Sequence, residues 1–401
     1  MSRRAVVLVL DGFGVGATPD GGPNDIGMDT LAHIVAKVPL RVPILESLGL
    51  GLLTSGSVPA TSHPRASYGR CAPVHPGADT YMGHQELMGG GLSLVEFKLM
   101  EDLGDDVTLA LLAAGHHVEP LIPGSSMLLV DGVAVVHDNV EARACLNVNV
   151  TASLDDISFG DLSEIGFVVR GSVRSSRIIV VGSRGYTVDD IRAHITDRGD
   201  GHIGVDTPGL GVYTEHYQVR HLGLDFPVER QLPTRMRAAG GDVVLLGKAA
   251  DVIRCDGAVA ENLVDTTEVL EATVRHLDAM EHGLIVANVQ ETDLAGHEED
   301  VERYARVLTT VDARLSDLLE RIGPEDCLFI TADHGNDPTS GSSRHTREFV
   351  PLLAFSPAFV SVDLGIRPTL ADVGATVADL FDLFDLDSGT SFAKEILCSS
   401  T

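Results

Sequence analysis

The sequence predicts an α/β fold: a doubly wound, mostly parallel sheet core with an inserted α+β domain. Three observations lead there. Continuous apolar runs occur at 5–10 (AVVLVL), 243–246 (VVLL), 284–289 (LIVANV), 327–332 (CLFITA) and 350–355 (VPLLAF); runs apolar on both faces belong to parallel strands covered by helices. Between them lie helix-like stretches, 263–281 with Leu263, Val264, Val269, Leu270, Val274 and Leu277, and 300–322 with Val307, Leu308, Val311 and Leu315; such alternation is that of a doubly wound sheet. From about Glu96 to about Pro227 the pattern changes to short β-like runs, SMLLVDGVAVV, IGFVVRG and RIIVVGS, with Gly and charged turns between them. The expected division is a core of 1–97 with 228–401 and an inserted domain of 98–227.

In chain order, the run 5–10 is the first strand. Two Arg precede it, as in a signal peptide, but six apolar residues ending at Asp11 are too few for an export segment. Gly12, Gly14 and Gly16 follow it without the GxGxxG spacing, and an Asp at the strand end would repel a pyrophosphate. A dinucleotide loop is therefore set aside. Thr80 precedes a helix-like segment in GADTYMGHQELMGG (77–90), and MGGGLSL (88–94) reads as a hinge or tight turn. Within the insert, LLVDGVAVV reads as a hairpin turning at Asp131-Gly132.

Hydrophobic residues make up 44% of the 401 and charged residues 22%, a globular balance. No apolar run approaches the roughly 20 residues that span a bilayer. The net charge of −29 argues against nucleic acid and anionic membranes as partners, and reads as a solubility or salt-adaptation trait. Cys71, Cys145, Cys255, Cys327 and Cys398 are odd in number, widely spaced and form no CxxC. That suits buried thiols in a reducing cytoplasm rather than a disulfide framework or zinc ribbon. NVT at Asn149 matches a glycosylation sequon, which without an export signal reads as chance.

Acidic and His residues gather where apolar runs end. Asp11 follows the first; Asp293 and His297 lie in ETDLAGH after another; Asp333 and His334 follow a third, with His345 in RHTRE beyond. One Asp after a strand is ordinarily a turn or cap residue, but six such groups at neighbouring strand ends are enough ligands for two Mn²⁺, Zn²⁺ or Fe²⁺ ions. A metal pair can clamp both oxygens of a phosphoryl transfer. Thr80, beside Asp79, reads either as a helix cap or as a nucleophile activated by metal at a helix N-terminus. Lys248 in LLGKAADVI would meet phosphate as a point charge. Arg344 and Arg347 would bind phosphate or pair with carboxylates.

With these pieces assembled, the chain resembles the alkaline phosphatase superfamily, in its phosphopentomutase and cofactor-independent phosphoglycerate mutase branch. The resemblance covers about 4–98 and 228–396. It is carried by LVLDGFGVG, GADTYMGHQELMG, LGKAADVI, TADHGNDPTSGSSRHTREFVPLLAFSP and LADVGATVADLF…GTSF, and the fourth looks most like phosphopentomutase. It implies an alkaline phosphatase-like core and two divalent ions, Mn²⁺ first, with Zn²⁺ or Mg²⁺ as alternatives. Asp11, Asp333 and His334 would hold one ion with Thr80; Asp293, His297 and His345 would hold the other. Thr80 would carry the phosphoryl group, Lys248 would contact it, and Asp79, Asn336, Asp337 and Arg347 would support the site or substrate.

Two features depart from the phosphopentomutase pattern. Asp293 and His297 are four apart, as in the phosphoglycerate mutase branch, and the insert has GDGHIGVDTPGLGVYTEHYQV where an Arg-containing sugar-recognition stretch would stand. The expected function is a cytoplasmic dimetal mutase moving phosphoryl between the 1- and 5-positions of a pentose phosphate or close analogue through phosphothreonine. The alternatives are a phosphate-ester hydrolase on the same centre, a phosphoglycerate mutase-like mutase, and a non-catalytic metal-binding relic. The expected partner is a small sugar phosphate, with neither nucleic acid nor membrane; the oligomeric state is left open.

Overall fold

The computed structural model describes residues 3–54, 56–91, 95–141, 144–214, 216–224 and 227–397. Cys398 and residues 92–94 of the expected hinge lie outside them. The chain forms two compact units, Met1–Leu92 with Phe226–Thr401, and Ser93–Asp225.

The first unit opens with β1 (Arg4–Leu10) and β2 (Ser67–Cys71). The second unit then supplies β3 (Val118–Pro120), β4 (Leu128–Val130), β5 (Ala134–Asp138), β6 (Asn147–Ser153), β7 (Arg177–Ser183), β8 (Ile195–Asp197), β9 (Ile203–Val205) and β10 (Gln218–Gly223). The chain returns to the first unit with β11 (Asp242–Leu246), β12 (Val259–Glu261), β13 (Gly283–Val289), β14 (Cys327–Thr331), β15 (Val350–Phe355) and β16 (Asp363–Arg367).

The first unit's eight-stranded sheet runs β12-β11-β13-β1-β14-β15-β2-β16. Its central strands β11, β13, β1 and β14 are parallel neighbours. The residues from Ala5 to Leu10 are fully buried, and burying each Val or Leu contributes about 1.5–3 kcal/mol. Helix Val301–Leu319 packs Val307, Leu308, Val311 and Leu315 inward, one face at helical spacing, and Asp300 caps it by accepting the Arg303 N–H at 2.8 Å. The predicted helix at 263–281 spans Thr266–Ala279, capped by Asp265, so Leu263 and Val264 precede it.

Two expectations need correction. The run 350–355 is a strand, but β15 pairs antiparallel with both β14 and β2. A parallel return needs a crossover, usually a helix; residues 332–349 instead form an irregular loop that brings the chain back beside the strand it left. In the second unit, IGFVVRG is not β-like: it lies in helix Phe159–Ser172. Ser158 caps that helix, and Leu162, Ile165 and Val169 share its buried face, so the helical period overrode the Val-rich local composition.

The second unit holds a six-stranded sheet, β10-β7-β6-β5-β4-β3. Asp131 and Gly132 form the turn of the β4–β5 hairpin, both with positive φ, at 51° and 74°. Helices Met100–Ala113 and Phe159–Ser172 supply one apolar cluster on this sheet, and the segment carrying Tyr186, Ile191, Val205 and Val212 supplies another. Among the described residues no helix is long and apolar enough to cross a membrane. Cys71 and Cys327 are buried; Cys145 and Cys255 are only half-buried.

Candidate metal centre

Ligand-type side chains meet where the parallel strands of the first unit end. Asp11 directly follows β1. Two hydroxyls fix its turn: Thr292 Oγ1 donates to the Asp11 carbonyl at 2.6 Å, and the buried Tyr304 hydroxyl donates to the Gly12 carbonyl at 2.9 Å. Asp293 and His297 lie on helix Glu291–His297 after β13, and the four-residue spacing puts them on one face. Asp333 and His334 leave β14.

The cap reading of Thr80 falls to its neighbour. Asp79 is the N-cap of helix Thr80–Leu87 and accepts the Met82 N–H at 3.0 Å. Thr80 is the first helical residue, and its Oγ1 lies 2.7 Å from His334 Nε2 and 3.4 Å from Lys248 Nζ. Gly83 permits this approach. A Cβ there would fall 2.6 Å from the Asp333 carbonyl oxygen, inside any tolerable contact.

Three imidazoles are oriented alike. His297 Nδ1 donates to Ser343 O at 2.6 Å, His334 Nδ1 to Gly335 O at 3.0 Å, and His345 Nδ1 to Ala78 O at 2.9 Å. Each ring therefore presents Nε2 to the centre, as metal-binding His do. His345 Nε2 is 3.1 Å from His297 Nε2 and 3.3 Å from Asp293 Oδ1. Two nitrogen lone pairs at that separation need a cation or proton between them.

Lys248, after β11, places Nζ 2.8 Å from Asp11 Oδ2 and 3.0 Å from Asp293 Oδ2. Burial opposes its charge, but the Asp11, Asp293 and Asp333 carboxylates outweigh burial and raise its pKa. Burial and the neighbouring Asp333 charge push Asp11 up to about 7, despite Lys248. Burial takes His334 down to about 4, so its Nε2 accepts from Thr80. The charge on Asp293 takes His345 up to about 9 against its burial.

Three buried carboxylates lie close together at the centre, and burial with their mutual repulsion is what raises Asp11. Asp11 Oδ1 and Asp333 Oδ2 are buried and accept no hydrogen bond. Two compact groups have all their ligand atoms within 4.8 Å of one another: Asp293, His297 and His345, and Asp11, Asp293 and His334. Asp293 belongs to both. Mixed carboxylate and imidazole donors with unsatisfied buried oxygens fit divalent transition ions.

The remaining expected residues sit further out. Asn336 Nδ2 donates to Asp293 Oδ1 at 2.8 Å. Asp337 accepts from His33 Nδ1 at 2.5 Å and from the Thr339 hydroxyl at 2.8 Å. The buried Arg347 donates to the carbonyls of Pro73, His75 and Gly77 and to Asp20, so it braces the loop leading to Thr80. His84, Thr292 and Tyr304 were missed by the sequence reading. A spacing signal existed only for His84, one helical turn beyond Thr80.

A family model described as the metalloenzyme superfamily matches residues 3–384. The phosphopentomutase of Caldanaerobacter subterraneus subsp. tengcongensis is 30% identical, over 99% of this chain and 98% of its own. That of Anaeromyxobacter dehalogenans is 33% identical, over 99% of this chain and 100% of its own. The chain belongs to the phosphopentomutase family of the metalloenzyme superfamily. The fold agrees: a solved structure of Leishmania mexicana phosphoglycerate mutase, at low cobalt concentration, aligns with 98% of this chain and 97% of its own, at TM-score 0.50 and 13% identity. In this phosphopentomutase family member the motif-bearing strand ends lie in the unit whose sheet has the expected doubly wound, mostly parallel form.

Proposed function

We propose that this protein is a dimetal phosphomutase that interconverts the 1- and 5-phosphates of a pentose, or a close analogue, through a phosphothreonine at Thr80. The observation that carries the reading is the position of the Thr80 hydroxyl. It stands at a helix N-terminus, free of capping, 2.7 Å from a neutral imidazole and within reach of the partly buried Lys248 ammonium. Family naming supports the sugar phosphate, since the relatives at about 30% identity are phosphopentomutases.

Asp11, Asp333 and His334 would hold one divalent ion beside Thr80, and Asp293, His297 and His345 the other, with Asp293 lying between them. Mn²⁺ is the expected ion. When bound, the ions supply charge neutralisation for the phosphoryl oxygens and acidify the hydroxyl.

The chain's own groups do the rest. Phosphorylated Thr80 presents its phosphoryl group at the N-terminus of helix Thr80–Leu87, where backbone N–H groups favour an anion. Lys248 Nζ holds one phosphoryl oxygen. A sugar hydroxyl attacks phosphorus, the bond to Thr80 Oγ1 breaks, and the proton lost by the sugar oxygen balances the one regained at Oγ1. The bisphosphorylated sugar then returns its other phosphoryl group to Thr80, leaving the isomer. Asn336 orients Asp293, and Arg347 holds the 73–77 loop. Choice of sugar is assigned to the unit Ser93–Asp225, the expected cap.

The test is a panel of sugar 1- and 5-phosphates assayed with Mn²⁺ and a catalytic amount of bisphosphorylated pentose. Isomer formation from a pentose phosphate supports the reading. Stoichiometric free phosphate without isomer supports the hydrolase instead.

A further inference from the structure

Helix Thr80–Leu87 also carries a fully buried polar group, His84, toward the centre. His84 has no exposed surface, and every nitrogen of its ring meets a polar atom of a different segment. Nδ1 lies 2.9 Å from the Thr80 carbonyl oxygen and 3.4 Å from Asp333 Oδ2. Nε2 lies 3.1 Å from Asn288 Nδ2, in strand β13 five residues before Asp293. One imidazole therefore touches the turn carrying the Thr80 hydroxyl, the carboxylate leaving β14, and the strand leading to Asp293. An apolar packing role would need none of these contacts, and an unpaired buried ring nitrogen would be costly.

From this geometry we propose that His84 is a positioning residue: its ring, anchored by the Nδ1–H bond to Thr80 O and packed 3.4 Å from Asp333 Oδ2, fixes the separation between the Thr80 hydroxyl and the Asp333 carboxylate. The proposal rests on the dimetal phosphomutase reading above. Nδ1 donates and Nε2 accepts from Asn288. The Asp333 oxygen that His84 faces is one of the buried oxygens without a hydrogen bond, so the ring limits how that carboxylate can rotate. Gly83 brings the helix close enough for the contact, its position falling against the Asp333 backbone. Displacing groups that orient a metal-binding carboxylate costs roughly 10- to 100-fold in metal affinity or activity.

The test uses three variants of the full chain. An Asn amide nitrogen can take the place of the His Nδ1 donor, a Gln reaches only the Nε2 position, where its amide oxygen can accept from Asn288, and Leu offers neither. Mn²⁺ binding is read by the loss of the free-ion electron paramagnetic resonance signal, and kcat and KM are read with a pentose phosphate. His84→Asn is expected to keep most of the parent's Mn²⁺ affinity and kcat. His84→Gln and His84→Leu are expected to lose about 10- to 100-fold in each, with KM for the sugar phosphate little changed and thermal midpoints matching that of His84→Asn. Equal losses in all three variants would mean a structural role and overturn the proposal, as would three variants indistinguishable from the parent. A parent that binds no Mn²⁺ would overturn both the proposal and the metal-centre reading beneath it; a parent that binds Mn²⁺ and isomerises sugar phosphates limits any failure to His84.

Discussion

Thr80 Oγ1 donates to His334 Nε2 across 2.7 Å, while His334 Nδ1 is committed to the Gly335 carbonyl. That pairing gives the threonine hydroxyl an orientation of its own, because Asp79 has taken over the capping duty. Thr80→Ala is expected to abolish isomerisation, and Thr80→Ser to retain a measurable fraction. Both should keep the parent's thermal midpoint within a few degrees, since Thr80 is only partly buried and one side-chain hydrogen bond contributes about 0.5–1.5 kcal/mol. Turnover in Thr80→Ala comparable to the parent's would remove the nucleophile assignment.

Lys248 Nζ stands between Asp11 and Asp293 and within 3.4 Å of Thr80 Oγ1. Lys248→Met should lower kcat by about 100-fold or more, the usual cost of removing one preorganised charge donor from a developing anion. Steady-state kinetics with saturating Mn²⁺ check it.

Gly83 has no room for a side chain, with a Cβ falling 2.6 Å from Asp333 O and 2.9 Å from Asp333 Cβ. The nearest obstructing atom is backbone and the Cβ is fixed to that backbone, so neither can swing away. Gly83→Ala should destabilise the protein by about 1–3 kcal/mol and lower kcat as the Thr80 helix moves from the β14 end. Chemical denaturation and the kinetic assay read the two effects on one sample.

Glu348 is buried against Thr30, Thr346 and Gly16. Burial pushes its pKa up to about 7 even though Thr30 N–H and Oγ1, Thr346 Oγ1 and Gly16 N–H all donate to it. A carboxyl whose folded pKa is raised favours the folded state most when protonated. Its contribution is full below the ordinary carboxyl pKa and is lost as pH rises through about 7. The stability of the parent relative to Glu348→Gln should therefore fall between about pH 4.5 and pH 7 and level off on either side. Denaturation midpoints across that range check the slope; a rising difference would reverse the assignment.

The parts of this protein legible in the sequence are those where chemistry and secondary structure share the same few residues. β1, β13 and β14 announce themselves as buried runs, and each is followed within eight residues by a carboxylate or imidazole of the centre. The direction of β15 was not legible, because it depends on the path of the 332–349 loop rather than on VPLLAF itself. IGFVVRG misled because three Val or Ile in seven residues favour a strand locally, while Ser158 and the Leu162–Ile165–Val169 face decide for a helix over a longer window. The Tyr304 and Thr292 hydroxyls that pin the Asp11 turn have no motif, since their role comes only from tertiary contact. The fate of Arg347 was open between phosphate and structure until its three carbonyl partners were seen.

A phosphothreonine at Thr80 is tested by a transfer experiment on Mn²⁺-loaded protein. The protein is mixed with a bisphosphorylated pentose carrying isotopically labelled phosphoryl groups, and its peptides are mapped by mass spectrometry while free phosphate is followed. Label is expected on Thr80, then on added pentose 1- or 5-phosphate, with little free phosphate. Isomer formation with no label on Thr80, or label lost only as free phosphate, would contradict a phosphothreonine mutase.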